Sequence, residues 1–366
     1  MKGIVYEGQG DMRVEDIADP AIEEAGDAIV KVTKAGICGT DLHILNYGDA
    51  FGFERGCRVG HEFVGVVEEV GPEATSLKPG DKVLAPFWIS CGACHFCKKG
   101  LQTSCVSGGP FGFQSLFPGA GEGRAEVVQG GQSQYVRVPM ANGTLDVIPE
   151  SLATDADDLK TLPLTDVFGT GYHAARCSGV EGGSNVVVIG DGAVGLCGAQ
   201  ASRALGAETI TVLGHHDDRL AIAEQMGATH TVNTKTDDNA AELVKELSNG
   251  SGPDAVIAAI ASPETMQWAM ENVQAGGSIG WVGMEVFLGG PEIPWDQAFF
   301  KNVTIGGGVA PVKHYLPELW PLLETGKIDP SPVLTHDLAM DEAASGYEVM
   351  ASRQTGSVKV AISPNR

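Results

Sequence analysis

The chain has 366 residues, 43% of them hydrophobic, with 47 acidic against 24 basic side chains and a formal net charge of −23. That length suits two domains better than one, and so acidic a surface argues against nucleic acid or an anionic membrane as partner, because both need basic patches. Met1 opens no charged and then apolar leader, and no apolar run is long enough to cross a bilayer, so the expectation is a cytoplasmic protein.

Along the first 150 residues, short runs rich in β-branched side chains alternate with turns. "GIVYEG", "DAIVKV", "HEFVGVVEEVG", "DKVLAPF" and "QSQYVRVP" predict strands of a barrel or sandwich. Between them lies "CGACHFCKKGLQTSC", from Cys91 to Cys105, with four of the eight cysteines. Residues 106–131 are glycine-rich and aperiodic, which predicts a long surface loop.

In a reducing compartment, close-set cysteines are metal ligands or catalytic groups before they are disulfides. The C-x2-C-x2-C-x7-C spacing lets Cys91, Cys94, Cys97 and Cys105 wrap one small cation. Four sulfurs with no open position suit a structural Zn2+ better than a disulfide pair or an iron–sulfur cluster. His95 lies inside the loop but finds the shell already full. A second group is scattered over "CGTDLH", "GHE" and "TDVFGTGYHA". There Cys38, His61 and a third carboxylate or thiolate could hold a metal with one position left for water or substrate, as catalysis requires.

From about residue 165 the texture changes. The apolar strands "NVVVIG", "TITVLG", "DAVIAAI" and "SIGWVG" alternate with helical segments such as "DRLAIAEQMGA" and "PETMQWAMENVQAGG", which predicts a parallel sheet covered on both faces. "GDGAVG", Gly190 to Gly195, joins the strand "NVVVI" to a helix and fits the dinucleotide fingerprint G-x-G-x-x-G in the context it needs. Gly190 permits the tight turn and Gly192 lets the backbone approach a pyrophosphate. Gly195 lets helix and strand close up, and the helix start at Ala193 and Val194 offers N–H groups. The second strand ends in Gly214, where NAD-binding versions carry an acidic residue for the ribose hydroxyls. With no carboxylate at that position, and with His215, His216 and Arg219 as donors, the sequence predicts NADP(H) in preference to NAD(H).

Taken together, "AGICGTDLH", "VGHEFVGVVEEVG", "KPGDKV", the four-cysteine lobe, "VFGTGYHA" and "GDGAVG" occur in one order over essentially the whole chain. In this the sequence resembles the zinc-containing medium-chain alcohol dehydrogenases. The resemblance implies an α/β fold: a GroES-like β-barrel catalytic domain, residues 1–167 and 307–366, with a doubly wound Rossmann domain, residues 168–306, inserted. The lobe would span about residues 88–106. Cys38 and His61 match the family's first two catalytic zinc ligands, and Glu62 the neighbouring carboxylate that approaches the metal. Asp166 stands where many members have a cysteine. The NADP-dependent secondary alcohol dehydrogenases resemble this chain in that aspartate and in a glycine at the position of Gly214, but they lack the lobe cysteines. Asp166 is accordingly taken as the third ligand.

By the same resemblance, Thr40 matches the hydroxyl that bridges substrate and nicotinamide ribose. His43 matches the outer end of the proton relay, and Asp41 the carboxylate orienting His61. Phe87 and Trp88 fall where the family lines its substrate pocket, and Lys359 where a base meets the cofactor pyrophosphate. The implied activity is interconversion of small-molecule alcohols and aldehydes or ketones by hydride transfer to and from NADP(H), with one catalytic and one structural zinc. The implied assembly is a homo-oligomer, a tetramer or alternatively a dimer. The alternatives are a polyol, sugar or threonine dehydrogenase on the same scaffold, or a non-catalytic zinc- and nucleotide-binding redox sensor.

Overall fold

A computed structural model describes residues 1–113, 129–284, 290, 292–352 and 356–366. Of the glycine-rich stretch 106–131, residues 114–128 lie outside them. The chain divides into two compact units: residues 1–166, 311–324 and 334–366, and residues 167–310 and 325–333.

The first unit is built mostly on antiparallel strands, several of them buried along most of their length. The long strand Ala28–Ile37 organises it, pairing with Phe63–Val70, Tyr135–Val138 and Lys359–Ser363 in a seven-stranded sheet. All five strand segments expected from the sequence form, at Lys2–Gly8, Ala28–Ile37, Phe63–Val70, Lys82–Ala85 and Tyr135–Val138. Inward residues of this sheet, among them Val30, Val32, Phe63, Val83 and Val136, make one apolar core with Phe111. A second core gathers Ile4, Tyr6, Ile37, Ile44, Tyr347, Val360 and Ile362 beside it. The C-terminal strand is therefore part of this unit although it is last in the chain.

The second unit is a six-stranded parallel sheet. Its strand order is His230–Asn233, Thr209–Gly214, Asn185–Ile189, Ala255–Ala258, Ser278–Trp281, Thr304–Gly307. The chain runs outward from Asn185–Ile189 in one direction, then returns beside it and runs outward in the other. This is the Rossmann order, and its switch point lies beside the glycine turn. Four central strands are the apolar runs expected. The edge strands "HTVN" and "TIGG" are too short and too polar or glycine-rich to announce themselves. Among the described residues, no helix is long and apolar enough to cross a membrane.

Candidate metal centres and dinucleotide turn

Cys38 ends the strand Ala28–Ile37 and stands just before the helix Gly39–Tyr47. Its backbone N–H donates to Asp41 Oδ2 at 2.9 Å, so the third helical residue closes the first turn and buries its own carboxylate. Asp41 Oδ1 then lies 3.5 Å from His61 Nδ1, which leaves Nε2 facing the opposite way, 3.3 Å from Asp166 Oδ2. Asp166 Oδ2 is also 3.6 Å from Cys38 Sγ. One donor atom from each of Cys38, His61, Glu62 and Asp166 lies within 4.8 Å of the others.

These separations are a test of the donor set. Bonds of about 2.0–2.3 Å at tetrahedral angles put neighbouring zinc ligands roughly 3.3–3.8 Å apart. The His61–Asp166 and Cys38–Asp166 distances fall inside that range, so the residues fit a zinc ion. Electrostatics say the same. Burial, followed by the charges of Glu62 and Asp166, raises the Cys38 thiol, and burial raises Glu62 against the pull of Lys359. Burial opposes charge on the His61 imidazole, but Asp41, Cys38 and Asp166 hold it well above its ordinary value. A bound divalent ion would invert the Cys38 and Glu62 shifts and draw the thiol and the carboxylates into their charged, ligating forms.

The surrounding residues are more numerous than the motifs revealed. Gln132 Nε2 donates to Asp41 Oδ2 at 2.9 Å and to the Gly36 carbonyl at 2.8 Å, while Gln132 Oε1 accepts from the Tyr347 hydroxyl at 2.7 Å. All three side chains in this chain are buried. Phe113 lies 5.7 Å from the His61 ring, centroid to centroid, and Phe87 6.3 Å from it. Trp88, mostly buried, packs edge-on against Phe87, whose N–H donates to the Thr165 carbonyl next to Asp166. Thr40 Oγ1 is 3.6 Å from Cys38 Sγ, and His43, three residues on, shares its face of the helix. Gly36 is required here, because a Cβ would stand 2.1 Å from Glu62 Oε2.

Lys359 is tied to the carboxylate beside His61. It is 1% exposed, and its ammonium donates to Glu62 and to the Ile37 carbonyl, with a 2.6 Å contact to Glu62 Oε2. Burial alone would lower the ammonium, but Glu62 beside it raises it overall. The place of Lys359 is behind Glu62, and only the fold, which pairs the last strand with Ala28–Ile37, puts it there.

In the lobe, Cys94 caps the short helix His95–Lys98 and Cys105 follows a turn of 3-10 helix. The sulfurs of Cys94 and Cys97 are 3.5 Å apart, and those of Cys91 and Cys97, and of Cys94 and Cys105, are 4.0 Å apart. A disulfide needs about 2.0 Å, whereas two zinc–thiolate bonds of about 2.3 Å span roughly 3.8 Å. The four cysteines fit one zinc ion. Backbone N–H groups of Cys91, Cys94 and Cys97 already point at sulfur. The Cys97 N–H, followed by the Val106 N–H, brings the Cys94 thiol down to about 6, while burial pushes Cys97 up to about 12. His95 is exposed and outside the set.

The glycine turn has the features expected of it. Gly190 sits at φ +116°, a Cβ on Gly195 would stand 1.9 Å from the Gly190 carbonyl, and the space around Gly192 is open. The helix Ala193–Leu205 starts without a side-chain cap, so its first N–H groups face that opening and fit a pyrophosphate. At the end of the neighbouring strand the sequence reading needs a correction. Gly214 brings no carboxylate, but Asp191, from the glycine turn itself, fills the space. A Gly214 Cβ would lie 2.6 Å from both Asp191 Cβ and Oδ2. Asp191 Oδ2 accepts from the His215 N–H at 2.6 Å, the His216 N–H at 2.9 Å and faces His216 Nδ1 at 2.9 Å; Arg219 reaches Oδ1 at 3.8 Å.

A buried thiolate–imidazole–carboxylate set in one unit and a dinucleotide turn on a doubly wound sheet in the other define a metal-assisted, nicotinamide-dependent oxidoreductase. Comparison with known proteins agrees. Residues 24–149 match the alcohol dehydrogenase GroES-like domain and residues 193–325 the zinc-binding dehydrogenase domain. An uncharacterized zinc-type alcohol dehydrogenase-like protein of Bacillus subtilis is 35% identical over the full length of both chains. The alcohol dehydrogenase TADH from Thermus sp. ATN1 superposes with a TM-score of 0.88 at 31% identity over 99% of each chain. A zinc-binding dehydrogenase from Sinorhizobium meliloti 1021, solved bound to NADP, gives 0.81 at 27% identity over 99% of each chain. The chain belongs to the zinc-containing medium-chain alcohol dehydrogenase family, and it is an oxidoreductase of that type.

Proposed function

We propose that the protein interconverts small alcohols and the corresponding aldehydes or ketones, using one zinc ion held by Cys38, His61 and Asp166, a second held by the lobe cysteines, and NADP(H) in preference to NAD(H). The observation that carries this reading is the convergence of Cys38, His61, Glu62 and Asp166 donors within 4.8 Å. Zinc bound there supplies Lewis acidity toward the substrate oxygen. The nicotinamide supplies or accepts the hydride.

The chain's own residues do the rest. Asp41, itself held by Gln132 and the Cys38 N–H, fixes the His61 ring so that Nε2 faces the metal set. Lys359 holds Glu62 at the edge of the set and balances its charge. Thr40 Oγ1, beside Cys38, accepts the substrate hydroxyl proton as it passes its own to the nicotinamide ribose hydroxyl, and His43, on the same helix face, takes the proton from the ribose outward. Phe87 and Phe113 put aromatic surface next to His61, with Trp88 packed behind Phe87, which favours a substrate of low polarity over a sugar or polyol. For the cofactor, the turn Gly190–Gly195 receives the pyrophosphate, with Ala193 and Val194 opening the helix behind it. His215, His216 and Arg219, clustered past Gly214, offer donors to a 2′-phosphate. A relative bound to NADP lends this preference support.

The test is a panel of alcohols, ketones, polyols and threonine assayed with both cofactors, alongside metal content for wild type and Cys38→Ala. Two zinc equivalents in the wild type, one in the variant, and turnover lost with the fold intact are expected. Full activity in metal-free protein would refute the mechanism, and a polyol or threonine as best substrate would refute the substrate class.

A further inference from the structure

The environment of Asp191 carries an inference about cofactor choice, one that rests on the dinucleotide reading above. In a doubly wound sheet the pyrophosphate sits at the first helix N-terminus, and the adenosine ribose lies at the end of the adjacent strand. Here that adjacent strand ends at Gly214, and the groups around it are four donors and one acceptor. The donors are the N–H groups of His215 and His216, the His216 ring and the Arg219 guanidinium. The acceptor is the Asp191 carboxylate. Asp191 is 6% exposed and reaches this place only because Gly214 has no Cβ, which would stand 2.6 Å from Asp191 Cβ. The two positions are thus complementary: the strand omits a side chain and the glycine turn supplies a carboxylate into the gap. Asp217, also nearby, accepts from the Asn233 amide at 2.6 Å.

We propose that Asp191 is a specificity-determining residue: its carboxylate occupies, from within the chain, the donor cradle that a cofactor 2′-phosphate would use, and so sets the margin between the two nicotinamide dinucleotides. A 2′-phosphate carries about −1.5 to −2 charge and three acceptor oxygens, against one charge and one engaged oxygen on Asp191, so it displaces the carboxylate but against its repulsion. A ribose that carries a free 2′-hydroxyl meets the opposite situation. Asp191 Oδ1, whose nearest cation stands 3.8 Å away, accepts that hydroxyl. Asp191 thereby weakens NADPH and assists NADH, and its neutralisation separates the two.

The experiment measures equilibrium binding of NADPH, NADH and 2′,5′-ADP to the zinc-loaded protein without substrate, by fluorescence and calorimetry. It compares wild type with Asp191→Asn, which keeps an oxygen for the two N–H groups, and with Asp191→Ser, which is neutral and shorter. In both variants NADPH and 2′,5′-ADP should bind about tenfold more tightly or better, equivalent to roughly 1.4 kcal/mol. NADH should bind unchanged or more weakly. Unchanged or weakened NADPH binding in folded variants would overturn the proposal, as would failure of both variants to fold, which would make Asp191 a strut for the turn. A wild type that prefers NADH would sink the NADP reading alone, because the ratio of variant to wild type still decides the role of Asp191.

Discussion

Gln132 shows how much of a metal site lies outside its ligands. Its amide joins Asp41, the Gly36 carbonyl and the Tyr347 hydroxyl with none of the four exposed to water. Removing it leaves a buried carboxylate and a buried hydroxyl each short of a partner. Gln132→Met should therefore cost about 1–3 kcal/mol in stability and lower zinc affinity at the Cys38 site by roughly 10–100-fold. Chelator competition followed by zinc counting checks this, with the lobe zinc unchanged; an unaltered competition curve would show that Asp41 needs no such support. At this scale the sequence was informative where contacts are local. Cys38, Thr40, Asp41 and His43 sit within one helical turn and a half, so one short motif, "CGTDLH", holds them together, and the family resemblance gives them their expected roles. Gln132 meets Asp41 across 91 residues and Tyr347 across 215, and Asp191 meets His215 across 24, so no spacing rule reaches them. Lys359 was legible as a charge near the C-terminus but its partner was not, because strand pairing decides it.

Among the elements, the strand Lys82–Ala85 carries an unusual burden. Its first residue is a lysine with a 6% exposed side chain, paired at 2.8 Å with Asp158, whose side chain is 2% exposed, and at 2.9 Å with Asp155, which is 93% exposed. Burial pushes the Asp158 carboxyl up, and Lys82 pulls against it. Breaking the inner half of this triad strands a buried ammonium, so Asp158→Asn should destabilise the first unit by about 3–5 kcal/mol. Asp155→Ala should cost about 1 kcal/mol or less, as exposed pairs do. Denaturant unfolding of the two variants separates them, and equal losses would mean that burial is not what gives the pair its weight. Element type was readable from composition: β-branched runs gave the strands of the first unit, and apolar runs between amphipathic segments gave the parallel sheet. Edge strands were not, because a strand with one neighbour needs little apolar surface. The glycine turn was readable in full, since Gly190, Gly192 and Gly195 answer to backbone geometry, but the occupant of the space past Gly214 was not.

For the whole molecule, charge is the property with the widest consequence. A net charge of −23 sums repulsion over the entire surface. Raising sodium chloride from about 0.01 M to about 1 M shortens the screening length from roughly 30 Å to roughly 3 Å. Tm should rise across that range; a fall would mean that attractive ion pairs such as Lys34–Asp337 and Arg137–Asp27 outweigh the repulsion. The residues alone determined the charge, the class of each domain and the family, because each depends on composition, periodicity or a motif held in order along the chain. Tertiary structure alone decided which distant side chains brace Cys38, His61 and Asp166, where Lys359 and Glu62 compensate one another, and that the Asp191 carboxylate stands beside Gly214. Those are matters of which surfaces meet once strands far apart in the chain lie side by side, and no local pattern encodes them.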